Sequence, residues 1–234
     1  MPYYYWDPTY ILVLIGALLS VGASALVNRT FNRYSSVYAR SGLTGAQAAQ
    51  KLLHSQGIYD VQIQHISGSL TDHYDPRNKT LSLSDAVYNA TTVAAIGVAA
   101  HECGHAMQHA KGYVPLSIRS ALVPVVNFGS YLSWPLIVIG LFINSSTGSL
   151  FLNAGLLLFS LVVLFQLVTL PVEINASRRA VRLLDQEHIQ IGDEVGQTAR
   201  VLKAAALTYV ASAAASILQL LRLLILTGGR RRDD

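Results

Sequence analysis

Three long segments without a single Asp, Glu, Lys or Arg constrain this chain more than any other feature of its sequence. They cover residues 10–27, 121–143 and 150–170. A helix needs about 20 predominantly apolar residues to cross the hydrocarbon core of a bilayer. Each segment is therefore predicted to be a transmembrane helix. The last two, separated by the polar residues 144–149, are predicted to form a hairpin of spans.

A fourth apolar segment, 204–226, is long enough to cross but carries Arg222 among its leucines and begins with three alanines. Whether it crosses is left open. The overall composition, 52% hydrophobic and 13% charged, excludes a soluble protein. The residues before the first span lack the basic region of a secretory signal, so this span is predicted to be an uncleaved anchor.

Basic residues cluster after the first and third spans, whereas the 144–149 loop has none. The positive-inside rule then places the segments after these two spans in the cytoplasm and the N-terminus outside. A fourth crossing would put Arg230, Arg231 and Arg232 outside, against the rule. Because the positive charge lies beside spans without interleaved aromatic residues, the lipid bilayer is the expected partner and a nucleic acid is not.

The polar region between the first two spans has the pattern of a small α+β unit. Thr44 and Gln47 fit a capping box for a helix that ends near Gly57. Strands are predicted at 61–64, 70–74 and 80–83, arranged as a hairpin or meander. A further helix, 91–110, is predicted to begin at Thr91 or Thr92 and to stop at Lys111-Gly112. The expected fold is mostly α, with three to four transmembrane helices and this small α+β region.

The predicted helix 91–110 contains His101-Glu102-Cys103-Gly104-His105. Histidines four residues apart lie on one helix face, about one turn from each other, and can bind one metal ion. Two imidazoles and a carboxylate suit a single Zn²⁺ that keeps an open position for water. Glu102 is then the base that takes the proton of that water. The pattern predicts a zincin-like metallopeptidase.

A third metal ligand has few candidates, because the other glutamates are Glu173, Glu187 and Glu194. Glu173 is favoured, since it follows Pro171 at the predicted start of a helix at the membrane boundary. Glu187 and Glu194 are expected to be solvated. His109 continues the helical spacing but lies one turn, about 5.4 Å, farther along, so it is expected to cap or line the site.

Four segments resemble the YugP-like membrane zinc metallopeptidases, also described as neutral zinc metallopeptidases. They are residues 70–76, 99–108, 170–180 and 204–211. The layout is similar to HtpX-type and CAAX prenyl-protease peptidases, gluzincins whose third ligand opens an E-x-x-A segment; Glu173 to Ala176 matches it. The HtpX-type and CAAX-type peptidases carry an aspartate where Ser177 stands, and many YugP-like chains carry an acid where Asn175 stands. A carboxylate there would orient a metal-binding histidine.

The resemblance, together with the need for a donor to the tetrahedral oxyanion, points to His73 and Tyr74 as further catalytic residues. Against this, residues 75–78 also have the composition of a plain turn. The predicted domains are an anchor (1–27), a catalytic region (28–120), a hairpin of spans (121–170), a third-ligand segment (171–203) and a C-terminal helix with basic tail (204–234).

The sequence thus predicts a zinc-dependent endopeptidase in a bacterial-type plasma membrane, cleaving membrane or membrane-adjacent polypeptides on the cytoplasmic side. The neutral residues Asn175 and Ser177 keep a second hypothesis open, a metal-binding scaffold or inactive peptidase without turnover. A transporter is disfavoured because the three firm spans lack ionisable residues for a substrate path. No sequence feature specifies an oligomeric state.

Overall fold

The computed structural model describes residues 7–143 and 145–228, and most of them are helical. In chain order the elements are α1 (Tyr10–Tyr34), α2 (Gly45–Ser55), β1 (Gln62–Ile66), β2 (His73–Asp75), β3 (Thr80–Ser84), α3 (Val93–Ala110), α4 (Val114–Phe142), α5 (Ser146–Gln186) and α6 (Asp193–Gly228). The predicted class, a mostly α membrane protein with a small α+β region, is confirmed. The basic tail 230–232 lies outside the described residues.

Four helices, α1, α4, α5 and α6, are long and apolar enough to cross a membrane. Large apolar side chains are exposed along all four, for example Leu18, Phe128, Leu157 and Leu224. Exposure of contiguous apolar surface on this scale suits a lipid environment, since soluble monomers rarely carry it. The last apolar segment therefore belongs to a helix with the length and composition of a span.

The helix that contains the third predicted span extends beyond that span at both ends. Helix α5 begins at Ser146 rather than near residue 150, and the backbone N–H of Gly148 donates to the Ser145 hydroxyl. At the other end the helix continues through Pro171 to Gln186. Proline removes one backbone donor, which neighbouring structure can compensate in spans. The residues that follow, including Val172 and Ala176, are buried, and their packing holds the helix together.

The described chain forms two compact units. Of the described residues, the first unit comprises 7–23, 118–143, 145–169 and 208–228, and the second comprises Ser24–Ser117 and Leu170–Leu207. Within the first unit, α4 and α5 approach closely, because a Cβ on Gly155 would lie 2.9 Å from the backbone nitrogen of Ile137. The domain boundaries drawn from the sequence stay a prediction.

The second unit contains a three-stranded sheet in the order β1-β3-β2. Strands β2 and β3 form the antiparallel hairpin that the sequence predicted around residues 75–78. Strand β1 pairs with β3 in parallel, so the alternative prediction of a meander is wrong. The chain between β1 and β2 reverses through Gly68 (φ +116°) and Leu70 (φ +57°) and brings β2 to the far side of β3. Central β3 is buried along its whole length, and its Ser84 hydroxyl donates to Asp72.

Helix α3 is the centre of the second unit. The predicted caps are confirmed: Thr92 accepts a hydrogen bond from the backbone N–H of Ala95, and Gly112 adopts φ +60° after the helix. Thr44 and Gln47 likewise form the predicted capping box of α2. Fourteen α3 residues are buried, among them Ile96, Ala99 and Met107, so the helix that carries the histidines is enclosed by the core.

Candidate active site

Small residues let α3 and α5 pack closely enough to share a site. A Cβ added at Gly104 would lie only 2.6 Å from the backbone oxygen of Ala176 on α5. Small residues at such positions allow helix backbones to approach. The approach brings Glu173, one turn before Ala176, opposite His101 and His105. The sequence predicted that Glu173 faces the helix that carries the two histidines, and the structure places Glu173 opposite them.

The carboxylate of Glu173 lies between the two imidazoles. Its Oε2 is 3.2 Å from His101 Nε2 and 3.6 Å from His105 Nε2. One ligand atom from each of the three residues lies within 4.8 Å of the others, and the two rings are nearly perpendicular at 84°. Glu173 is only 2% exposed and His105 8%. A buried carboxylate and two convergent ring nitrogens fit the ligand set of a catalytic zinc ion.

Burial by itself lowers the pKa of His105, but the hydrogen bond with Glu173 and the charges of Glu102 and Glu173 raise it above its ordinary value. This imidazole therefore binds a proton more readily than an ordinary histidine does. A divalent cation competes with the proton for the same position, because a histidine must be neutral to act as a metal ligand.

Hydrogen bonds at Nδ1 fix the orientation of both rings. The Ser177 hydroxyl lies 3.1 Å from His101 Nδ1, and Gln108 Oε1 lies 3.1 Å from His105 Nδ1. Gln108 donates through Nε2 to the backbone oxygen of Val172, at 2.8 Å. Its Oε1 must then accept the Nδ1–H of His105, which leaves the lone pair of Nε2 free to bind a metal ion.

Asn175 supports this arrangement from α5. Its Oδ1 accepts hydrogen bonds from Gln108 Nε2 at 3.0 Å and from Arg179 Nε at 2.7 Å. The sequence did not predict this chain of hydrogen bonds, which runs from Arg179 through Asn175 and Gln108 to His105. Its signal was present, since Gln108 lies three residues after His105 on the same helix face. The neutral side chains of Asn175 and Ser177 both engage the histidine framework by hydrogen bonds.

Glu102 and Cys103, which lie between the two histidines, face different surroundings. Glu102 is buried, 8% exposed, next to the first histidine. Cys103 is fully buried and donates to the backbone oxygen of Ala49 at 3.6 Å, on the side of α2. Burial and the nearby charge of Glu102 raise the pKa of the Cys103 thiol well above its usual range, so it stays protonated and has a packing role.

Of the two predicted oxyanion donors, the structure brings Tyr74 to α3. The Tyr74 hydroxyl lies 2.9 Å from His109 Nδ1, one turn beyond His105. Partial burial, followed by the charges of Asp60 and Asp75, raises the pKa of Tyr74 to about 12. His73 is exposed and hydrogen-bonds the backbone oxygen of Thr71 instead. Neighbouring residues of a strand point to opposite faces, so the two cannot address the same site.

The expectation for Glu194 is wrong. This residue is buried, and its carboxylate accepts hydrogen bonds from the backbone N–H groups of Arg40 and Ile191. It ties the start of α6 to the loop before α2 and is not solvated. Glu187 is half-buried at the end of α5.

Comparison with known proteins agrees with the zinc and membrane predictions. Residues 9–228 match the model of a family described as "Putative neutral zinc metallopeptidase". The chain is 45% identical, over 94% of its length and 98% of the relative, to a "Putative membrane protease YugP" of Bacillus subtilis (strain 168). No solved structure matches it. With its His101, His105 and Glu173 cluster and four helices fit to cross a membrane, this chain belongs to the neutral zinc metallopeptidase family.

Proposed function

We propose that this protein is a membrane-embedded, zinc-dependent endopeptidase that hydrolyses polypeptides on the cytoplasmic side of the membrane. One observation carries the proposal: ligand atoms of His101, His105 and Glu173 converge within 4.8 Å, and Glu102, which follows His101 in the chain, is buried. The pattern His-Glu-x-x-His with a distant glutamate is typical of metal-dependent hydrolysis of amide bonds.

His101, His105 and Glu173 would hold the ion, which when bound supplies Lewis acidity towards water and the substrate carbonyl. Glu102 accepts the proton of the attacking water and later returns it to the leaving amine. Ser177 and Gln108 hold both rings with Nε2 near the Glu173 carboxylate, so little reorganisation is needed when the site is loaded.

Tyr74 is proposed as the donor to the developing oxyanion. Its raised pKa, about 12, keeps the phenol protonated throughout the working pH range. A neutral phenol donates a hydrogen bond, which an ionised one cannot do. Its contact with His109 fixes the hydroxyl near the end of α3. His73 stays the alternative proposed from the sequence.

A polypeptide substrate is supported by the edge position of β2, which pairs with β3 on one side in the described part of the chain. A free strand edge can bind an extended peptide through backbone hydrogen bonds. The cytoplasmic location is supported by the charge of the second unit. It contains eight basic residues that flank the spans: Arg29, Arg33, Arg40, Arg178, Arg179, Arg182, Arg200 and Lys203.

The mechanism is tested with Glu102→Gln in detergent-purified protein, with Glu187→Gln as the matched control outside the site. Glu102→Gln is expected to retain one zinc ion per chain and to lose cleavage of an unfolded polypeptide, whereas Glu187→Gln keeps both. Undiminished cleavage by Glu102→Gln would refute the role of Glu102. A wild-type protein with stoichiometric zinc and no turnover on any denatured or membrane polypeptide would favour the scaffold hypothesis.

The side of the membrane is tested separately. Cys103 is the single cysteine, so a Cys103→Ala background permits one reporter cysteine at the exposed Tyr59. In intact cells or spheroplasts, a membrane-impermeant maleimide should leave this reporter unlabelled until the membrane is permeabilised. Labelling without permeabilisation would place the site outside.

A further inference from the structure

Three basic side chains line one small cavity in the second unit. Lys111 follows α3, and Arg179 and Arg182 lie one turn apart on α5. Gln56 and Gln186 add neutral amide groups to the same cavity, whose volume is about 180 Å³. No acidic residue lines it. The cavity is smaller than the roughly 300 Å³ at which pockets for drug-sized ligands begin, so it suits a small group.

The charges of these three residues are not offset by ion pairs. Among residues 7–143 and 145–228, neither Lys111 nor Arg182 forms a salt bridge or a side-chain hydrogen bond. Arg179 uses only Nε, which donates to Asn175 at 2.7 Å. Its remaining guanidinium N–H groups have no partner in that part of the chain. Three positive charges around one cavity repel each other, and an anion between them would remove that repulsion.

The C-terminal ends of helices also attract cations to this cavity. Their combined negative charge is too small to balance three basic side chains. Gln56, Lys111 and Gln186 mark the C-terminal ends of α2, α3 and α5. A helix C-terminus carries about half a negative charge. Three termini together amount to about 1.5 negative charges, about half of what three cations supply. A net positive potential therefore remains at the cavity.

We propose that this cavity binds a negatively charged phosphate group, supplied either by the headgroup of an anionic lipid or by free phosphate. Lysine and the forked guanidinium of arginine are the side chains that bind phosphate oxygens best. The lipid source is supported by the elements involved: α5 is a candidate span, and Lys111 lies three residues before α4, another candidate span. Basic pockets beside spans on the cytoplasmic side bind anionic headgroups.

The site does not depend on peptidase activity, so it is tested by binding alone. Purified full-length protein in neutral detergent is titrated with dihexanoyl phosphatidylglycerol, and dihexanoyl phosphatidylcholine serves as the zwitterionic comparison. We expect the anionic phosphatidylglycerol to bind more tightly than the zwitterionic phosphatidylcholine. Its affinity should decrease as the salt concentration increases. The double variant Lys111→Gln/Arg182→Gln should weaken binding by about tenfold or more, since two charge-assisted hydrogen bonds are lost.

Arg178→Gln is the matched control, because Arg178 is exposed on the same helix, next to Arg179, but does not line the cavity. It should bind like the wild type. Inorganic phosphate that displaces the lipid at similar concentration would support the site with free phosphate as its ligand; failure to displace it would support the lipid. Equal binding by the double variant and the wild type, or equal losses in Arg178→Gln and the double variant, would overturn the proposal.

Discussion

Gly104→Ala tests whether the close approach of α3 and α5 is what assembles the metal site. The added Cβ would lie 2.6 Å from the backbone oxygen of Ala176, whereas ordinary contact begins near 3.4 Å. The helices must separate by about 0.8 Å, because the obstacle is backbone and cannot rotate away. Metal sites require ligand distances within about 0.2 Å of ideal. His101 and His105 would then be too far from Glu173 for all three to bind one ion well.

The energetic consequence has two parts of opposite sign. Overpacking of this kind costs about 1–3 kcal/mol, while replacing glycine by alanine within a helix gains roughly 0.5–1 kcal/mol. A modest loss of stability is expected, together with a loss of zinc affinity of at least about tenfold, the range seen when the support of a metal ligand is removed. A large loss of zinc affinity with only a small loss of stability would indicate that the metal ligands have moved apart while the fold is retained.

Zinc affinity is measured by competition with a chelator of graded strength, and stability by thermal unfolding. Gly196→Ala in α6 is the control, because its Cβ would meet only the Arg200 side chain at 3.8 Å. Gly97→Ala is the intermediate case, with 2.8 Å to a side-chain methyl of Thr198. Zinc affinity is expected to be highest in Gly196→Ala, lower in Gly97→Ala and lowest in Gly104→Ala. Wild-type zinc affinity in Gly104→Ala would refute the reasoning.

Three further predictions concern the groups around the ligands. Gln108→Leu leaves His105 Nδ1 without its acceptor and should lower zinc affinity about 10–100-fold; unchanged affinity would exclude this role of the chain of hydrogen bonds. Ser177→Ala should weaken zinc binding and Ser177→Asp should strengthen it, because a carboxylate raises the basicity of His101; the reverse order would contradict this. Tyr74→Phe should lower kcat with zinc content unchanged. In the wild type, Tyr74 ionises only near pH 12, above its usual 10, so it should cause no loss of activity below about pH 11; an alkaline loss near pH 9 that disappears in Tyr74→Phe would contradict the assignment.

Local patterns in the sequence were sufficient for some of this architecture. The apolar segments predicted the spans, and the caps at Thr44 and Thr92 predicted two helix starts. Each of these features depends on residues within a few positions of each other, so no tertiary information is needed. Where a boundary depended on packing, the prediction failed: Pro171 has the pattern of a helix start but lies inside α5.

Partners far apart in sequence account for what was missed at the site. Gln108 is unremarkable in its own helix, and its function becomes visible only when Val172 and Asn175 lie within hydrogen-bonding distance. Glu194 has the pattern of a solvated helix start, yet it is buried against the backbone of Arg40, 154 positions away. Burial of a polar group requires a partner, and no local pattern specifies which distant residue provides it.

The sequence by itself determined that this chain enters a membrane and that one helix presents two imidazoles and a carboxylic acid, because hydrophobicity and helical spacing are properties of neighbouring residues. Only the tertiary structure decided that Glu173 lies between His101 and His105, that Gln108 and Ser177 orient the two rings, and that three basic residues line one cavity. The physical reason is the contact between Gly104 and Ala176: it sets how closely two helices approach, and every distance in the site depends on it.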